Sequence, residues 1–67
     1  MYYVVPEEFL FCWREARVKP QPRTLGTCVR DLRHAHGFAI VSTDGRIYLR
    51  RKDRWGDRHW MLAIRGW

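Results

Sequence analysis

The chain has 67 residues and 8.2 kDa, enough for one small domain over residues 1–67 with a thin core. Apolar residues make up 46% and aromatics 15%, which argues against disorder, and no apolar run is long enough to span a bilayer. No secretory signal can be read, and two cysteines, Cys12 and Cys28, are too few for a disulfide framework. Reduced, buried thiols in a cytoplasmic protein are the expectation.

Charge is unevenly placed. Residues 1–22 are neutral overall, with Arg14, Arg17 and Lys19 set against Glu7, Glu8 and Glu15. Residues 23–67 hold the whole net charge of +6, and eleven of the chain's thirteen basic residues are arginine. A basic, arginine-rich region fits phosphate and guanine edges and points to nucleic acid.

In chain order, Met1–Val5 is β-prone and could form a short strand. Pro6 with Glu7 and Glu8 then suits the opening of a helix over Glu7–Ala16, with Phe9, Cys12, Trp13 and Ala16 as its apolar stripe. Two prolines make Arg17–Arg23 a linker. A second helix is expected over Leu25–His36, capped by Thr24 and ended at Gly37. Leu25, Cys28, Val29, Leu32 and Ala35 would face inward, and Arg23, Thr27, Arg30 and His34 outward.

Strands follow. Phe38–Thr43 and Arg46–Arg51 flank Asp44-Gly45, which suggests a two-residue hairpin turn pairing Ile40 with Leu49. Residues 53–64 read as a third strand rather than a helix, because a helix would contain Gly56 and scatter its apolar residues. A loop over residues 54–57 would pair Asp53 with Arg58, Arg51 with Trp60, Leu49 with Leu62 and Ile47 with Ile64. Phe38, Ile40, Ile47, Leu49, Leu62, Ile64 and Trp60 would then share one sheet face.

The order of elements, with Val29-Arg30-Asp31-Leu32-Arg33 before Gly37 and Ile40, resembles small phage-type winged-helix DNA binders. Asp44-Gly45-Arg46-Ile47-Tyr48 is similar to the wing of excisionases, the recombination directionality factors. The resemblance spans residues 7–51. It implies an α+β, minimal winged-helix-like domain with two helices followed by a two- to three-stranded antiparallel sheet. It also implies double-stranded DNA bound with bending, and a recombinase or other protein as partner.

On this reading the protein is a phage or mobile-element DNA binder, excisionase-like or a transcriptional regulator, without cofactor. Arg23, Thr27, Arg30 and His34 of the second helix would enter the major groove. Arg50, Lys52, Arg54, Trp55 and Arg58 of a basic hairpin wing would hold the backbone. A homodimer or a cooperative array on DNA would enlarge the small contact. The rival is an inhibitor docking on an acidic host protein, with Tyr2, Tyr3, Trp55 and Trp67 as exposed anchors. A third reading binds RNA or single strands on a sheet face carrying Val41, Tyr48 and Met61.

The histidines and cysteines lack zinc spacing, and no nucleophile elbow, phosphate loop or carboxylate cluster is present, so neither a metal nor an enzyme is expected.

Overall fold

A computed structural model describes residues 1–64. They form an α+β domain built on a four-stranded antiparallel sheet: β1 (Tyr2–Pro6), β2 (Phe38–Ser42), β3 (Ile47–Lys52) and β4 (Arg58–Ile64), adjacent in that order. The anticipated order of two helices followed by a sheet is thus corrected. The short strand expected near the N-terminus forms and joins the sheet, so the helical segment is inserted between β1 and its partner β2. Val4 opposite Ile40 and Val5 opposite Ala39 explain why β1 docks: its alternating side chains feed both faces of the sheet.

The helices are shorter than their periodicity suggests. A 3-10 turn, Glu7–Phe9, leads into α1 (Leu10–Trp13). Leu10 and Trp13, one turn apart, are its anchors, whereas Phe9 and Phe11 remain exposed. With two anchors the helix buries too little to propagate to Ala16. Helix α2 (Leu25–Asp31) begins as expected, Thr24 Oγ1 accepting from the Thr27 N–H at 3.4 Å. It stops early because residues 32–35 tighten into turns, with Arg33 N–H on Arg30 and Ala35 N–H on Leu32. Gly37, at φ 80°, completes the exit toward β2.

The two helices lie on opposite faces of the sheet. Leu10 and Trp13 cover Val5, Ala39, Val41 and Ile47 on one face. Cys28 and Leu32 of the α2 segment cover Ile40 on the other, flanked by Val4, Tyr48 and Trp60. The linker explains the crossing: Arg23 bridges Tyr2 through N–H···O bonds of 2.7 and 2.8 Å, so the chain rounds the outer edge of β1. Leu25, expected inside, is exposed.

Both hairpins turn through three residues instead of the expected two and four. Ser42 and Arg46 flank Thr43-Asp44-Gly45, and Asp53 and Asp57 flank Arg54-Trp55-Gly56. In each turn the glycine N–H returns to the first flanking carbonyl at 3.1 Å, and the glycine has positive φ, 93° at Gly45 and 86° at Gly56. In each, the first flanking side chain accepts from the backbone N–H four residues on: Ser42 Oγ from Arg46 at 2.8 Å, Asp53 Oδ1 from Asp57 at 2.9 Å. The glycine thus fills the left-handed position of a bulged three-residue turn.

That geometry moves the register by one residue. Ile40 faces Tyr48, not Leu49, and β3 meets β4 as Tyr48 to Leu62, Arg50 to Trp60 and Lys52 to Arg58. The expected pairs Asp53–Arg58, Arg51–Trp60 and Leu49–Leu62 are therefore replaced. Ile47 still faces Ile64, because an irregularity at Ile47/Tyr48 restores the register. The supposed single apolar face is divided: Phe38, Ile40 and Trp60 lie toward α2, Ile47 and Leu49 toward α1.

Candidate functional site

The β2–β3 register, continued, sets Phe38 opposite Arg50, so β3 and β4 run past the end of β2. Residues 51–59 form a projecting two-stranded ribbon on a molecule 39 Å long and 18 Å thin. Its tip carries Trp55, 78% exposed, with the Arg54 guanidinium 5.5 Å from the ring centroid.

The ribbon's faces differ in electrostatics. Toward α1, Arg51 donates to Glu7 Oε1 at 3.1 Å and His59 Nε2 lies 2.9 Å from Asp53 Oδ2. Toward α2 stand Arg50, Lys52 and Arg58, and no carboxylate among the described residues pairs with any of them. Arg30 and Arg33, exposed on the α2 segment, likewise lack carboxylate partners there. Arg51, the arginine of one side, is thus neutralised, and the cations of the other add to a common field.

The wing residues named from the sequence have unequal positions. Arg50 is half-buried: its Nη1 donates to the carbonyls of Leu32 at 3.0 Å and Arg33 at 3.3 Å, and it lies over Trp60 at 6.0 Å. It ties the end of the α2 segment to β3 and is largely committed to the fold. Arg58 contacts both ring nitrogens of His36 instead of Asp53, which the sequence paired with it. Lys52, Arg54 and Trp55 are exposed. Sequence reasoning missed His36 and Arg33. Both lie just past α2, where the expected longer helix hid that the chain turns toward the ribbon.

The outer face of α2 is less free than its composition suggests. Arg23 makes a 2.5 Å ion pair with Asp31, and Thr27 is half-buried with its hydroxyl 2.9 Å from that of Thr24. Arg30 and His34 are exposed. With seven residues, α2 is about 10 Å long, a short probe for a groove.

The other readings also change. Tyr2 and Tyr3 are half-buried, with Tyr3 edge-on to Trp13 at 5.2 Å, so neither is an exposed anchor. Trp67 lies outside the described residues. Val41, Tyr48 and Met61 do not share a face: Val41 is buried on the α1 side and Tyr48 packs on the α2 side. Among the described residues no group of three His, Cys, Asp or Glu side chains is placed to hold a metal, and no helix is long and apolar enough to cross a membrane. Burial pushes the Cys28 thiol up.

Two carboxylates organise the hairpin turns. Asp44 is held below the usual range chiefly by the Ser42 hydroxyl, helped by Arg46. At Asp53 desolvation pushes upward, but the bonds from His59, Asp57 and Trp55 outweigh it and the net direction is down. Carboxyls lowered in the folded state stabilise it above their unfolded pKa, and that contribution is lost as pH falls through the folded values. Protection of the Trp55 and Asp57 amides from exchange should therefore hold from neutrality to about pH 4 and decline below it. In Asp53→Asn the protection should start lower and the decline should flatten; an unchanged acid profile would remove Asp53 from this role.

The sequence matches no protein-family model, and no curated protein or solved structure is significantly similar to it.

Proposed function

We propose that this is a small, cofactor-free, non-enzymatic protein that binds double-stranded DNA. The observation that carries the reading is the unpaired cationic face of the β3–β4 ribbon, continuous with Arg33 and the end of the α2 segment. A two-stranded ribbon fits the major groove as a helix does, and phosphate contacts from Lys52, Arg54 and Arg58 would supply most of the affinity. In the winged-helix form of this reading α2 is the groove element. The Arg23–Asp31 pair and the shortness of α2 favour the ribbon instead, with α2 as its flank. A phage or mobile-element role, with a recombinase as partner and with copies arrayed or dimerised on DNA, is the biological setting the resemblance suggests.

A second reading has its own observation. A groove of about 420 Å³ beside α1 is lined by Leu10, Ile47, Leu49, Ala63 and Phe11, which is 87% exposed, with Arg14 and Glu15 also lining it. Such a surface suits a protein partner.

The salt dependence of binding separates the two. Measured by fluorescence anisotropy, affinity for a mixed-sequence duplex should fall log-linearly with salt, with a slope of about −3 to −4 for three or four phosphate contacts. No complex at about 50 mM salt, or one indifferent to salt, would favour the protein-docking reading.

A further inference from the structure

Between the end of the α2 segment and the ribbon lies a small cavity of about 40 Å³. Leu32, Ala35 and Phe38 form its apolar wall, and Arg50, Arg58 and His36 bring nitrogen donors to it. These donors outnumber the acceptors within reach. Arg50 gives Nη1 to two backbone carbonyls, while its buried Nε has no acceptor among the described residues. Arg58 meets only the His36 ring, which can accept through whichever nitrogen lacks the proton. The one carboxylate at the rim, Glu7, gives Oε1 to Arg51, which leaves its other oxygen as the one carboxylate acceptor there.

A space this size holds about one to three waters, room for the non-bridging oxygens of one phosphate group and not for a base or a sugar. The non-bridging oxygens of a phosphodiester only accept, so they answer a cavity richer in donors than in acceptors, and the arginine fork suits them. Carbonyl bonds to Arg50 and the aromatic ring of Trp60 beneath it hold that guanidinium in place before any ligand arrives.

We infer that this cavity seats one phosphate group, with Arg58 and the His36 ring donating at its mouth and the fixed charge of the Arg50 guanidinium at its base. The inference rests on the nucleic-acid reading only for the source of the phosphate, a strand's backbone. Free phosphate presents the same kind of anionic acceptor oxygens.

The test is an NMR titration of the full chain, following the Arg50 and Arg58 side-chain Nε–H signals and the His36 ring. Inorganic phosphate is added at constant ionic strength against chloride; in a second arm a DNA duplex is added, and phosphate then competes with it. Saturable shifts of these signals are expected with phosphate and not with chloride. Arg58→Gln and His36→Gln should each weaken phosphate binding about tenfold, whereas Arg46→Gln, the same loss of charge in the β2–β3 turn, should not. Both of the first two residues are exposed, so these variants avoid the structural role of Arg50.

If the duplex shifts the same signals and phosphate reverses them, the phosphate comes from a strand. If phosphate binds but DNA binds nowhere, the cavity stands as a free-phosphate site and the nucleic-acid reading falls. If DNA shifts the ribbon amides while neither ligand moves these three side chains, the cavity is overturned and the nucleic-acid reading survives. Weakening by Arg46→Gln equal to that by Arg58→Gln would also overturn it, as general charge attraction.

Discussion

Ile40→Ala is expected to cost about 2–5 kcal/mol, the value for emptying a fully buried aliphatic site. Ile40 has no exposed surface and sits on β2, inside the sheet, where Cys28 and Leu32 close over it. Domains carry about 0.05–0.15 kcal/mol of stability per residue, so this one loss approaches the whole of a chain so short. Urea unfolding followed by tryptophan fluorescence should show a population already partly unfolded without denaturant. Leu49→Ala should cost about 1–2 kcal/mol, because Leu49 is half-buried on the other face, beside an open groove. The ranking is informative, since the two-residue turn would have made Ile40 and Leu49 neighbours in one core. Equal costs for the two variants would favour that register.

The elements were legible where local chemistry is strong. Thr24 before Leu25, the proline linker and the β-branched runs mark starts and stops that hold to within a few residues, whereas α2 stops at Asp31, well short of Gly37. Register was not legible, because Asp44-Gly45 serves either a two-residue turn or a bulged three-residue one. Ser42 decides between them: its hydroxyl satisfies the Arg46 N–H only in the longer turn, and Asp53 does the same for Asp57. One residue of slip sends each side chain to the opposite face, so the error spread from the turn through both strands. Placement of the helices was equally hidden. Each has a narrow apolar stripe, and the backbone bridge between Arg23 and Tyr2 carries the chain from one face to the other. No side-chain pattern encodes such a bridge.

Replacing Lys52 and Arg58 together by Gln should weaken duplex binding about 50–100-fold near 0.1 M salt, since each lost phosphate contact is worth about a decade there. The salt slope should flatten by about two units, one per contact. Arg51→Gln is the matched control on the other face. Its charge is already answered by Glu7 at 3.1 Å, so its removal should change affinity less than about threefold. Trp55→Ala tests the tip: a loss on duplex would give the ring a stacking or wedging role beyond the Arg54 it carries. Equal losses for Arg51→Gln and Arg58→Gln would mean that net charge, not the ribbon face, drives binding. The candidate site was visible in the sequence as a basic cluster at residues 50–58. Its division into a paired and an unpaired face was not, because that division depends on register and on Glu7, which lies far along the chain.

The most direct measurement is an amide map of the ¹⁵N-labelled chain titrated with a mixed-sequence DNA duplex. The largest shifts should fall on residues 52–58 and on Arg33–His36, with small changes at Leu10, Phe11 and Met61 on the α1 side. Shifts centred on Arg23, Thr27 and Arg30, with the ribbon unmoved, would return the groove contact to α2. An unperturbed spectrum at low salt would contradict the assignment of the ribbon to nucleic acid.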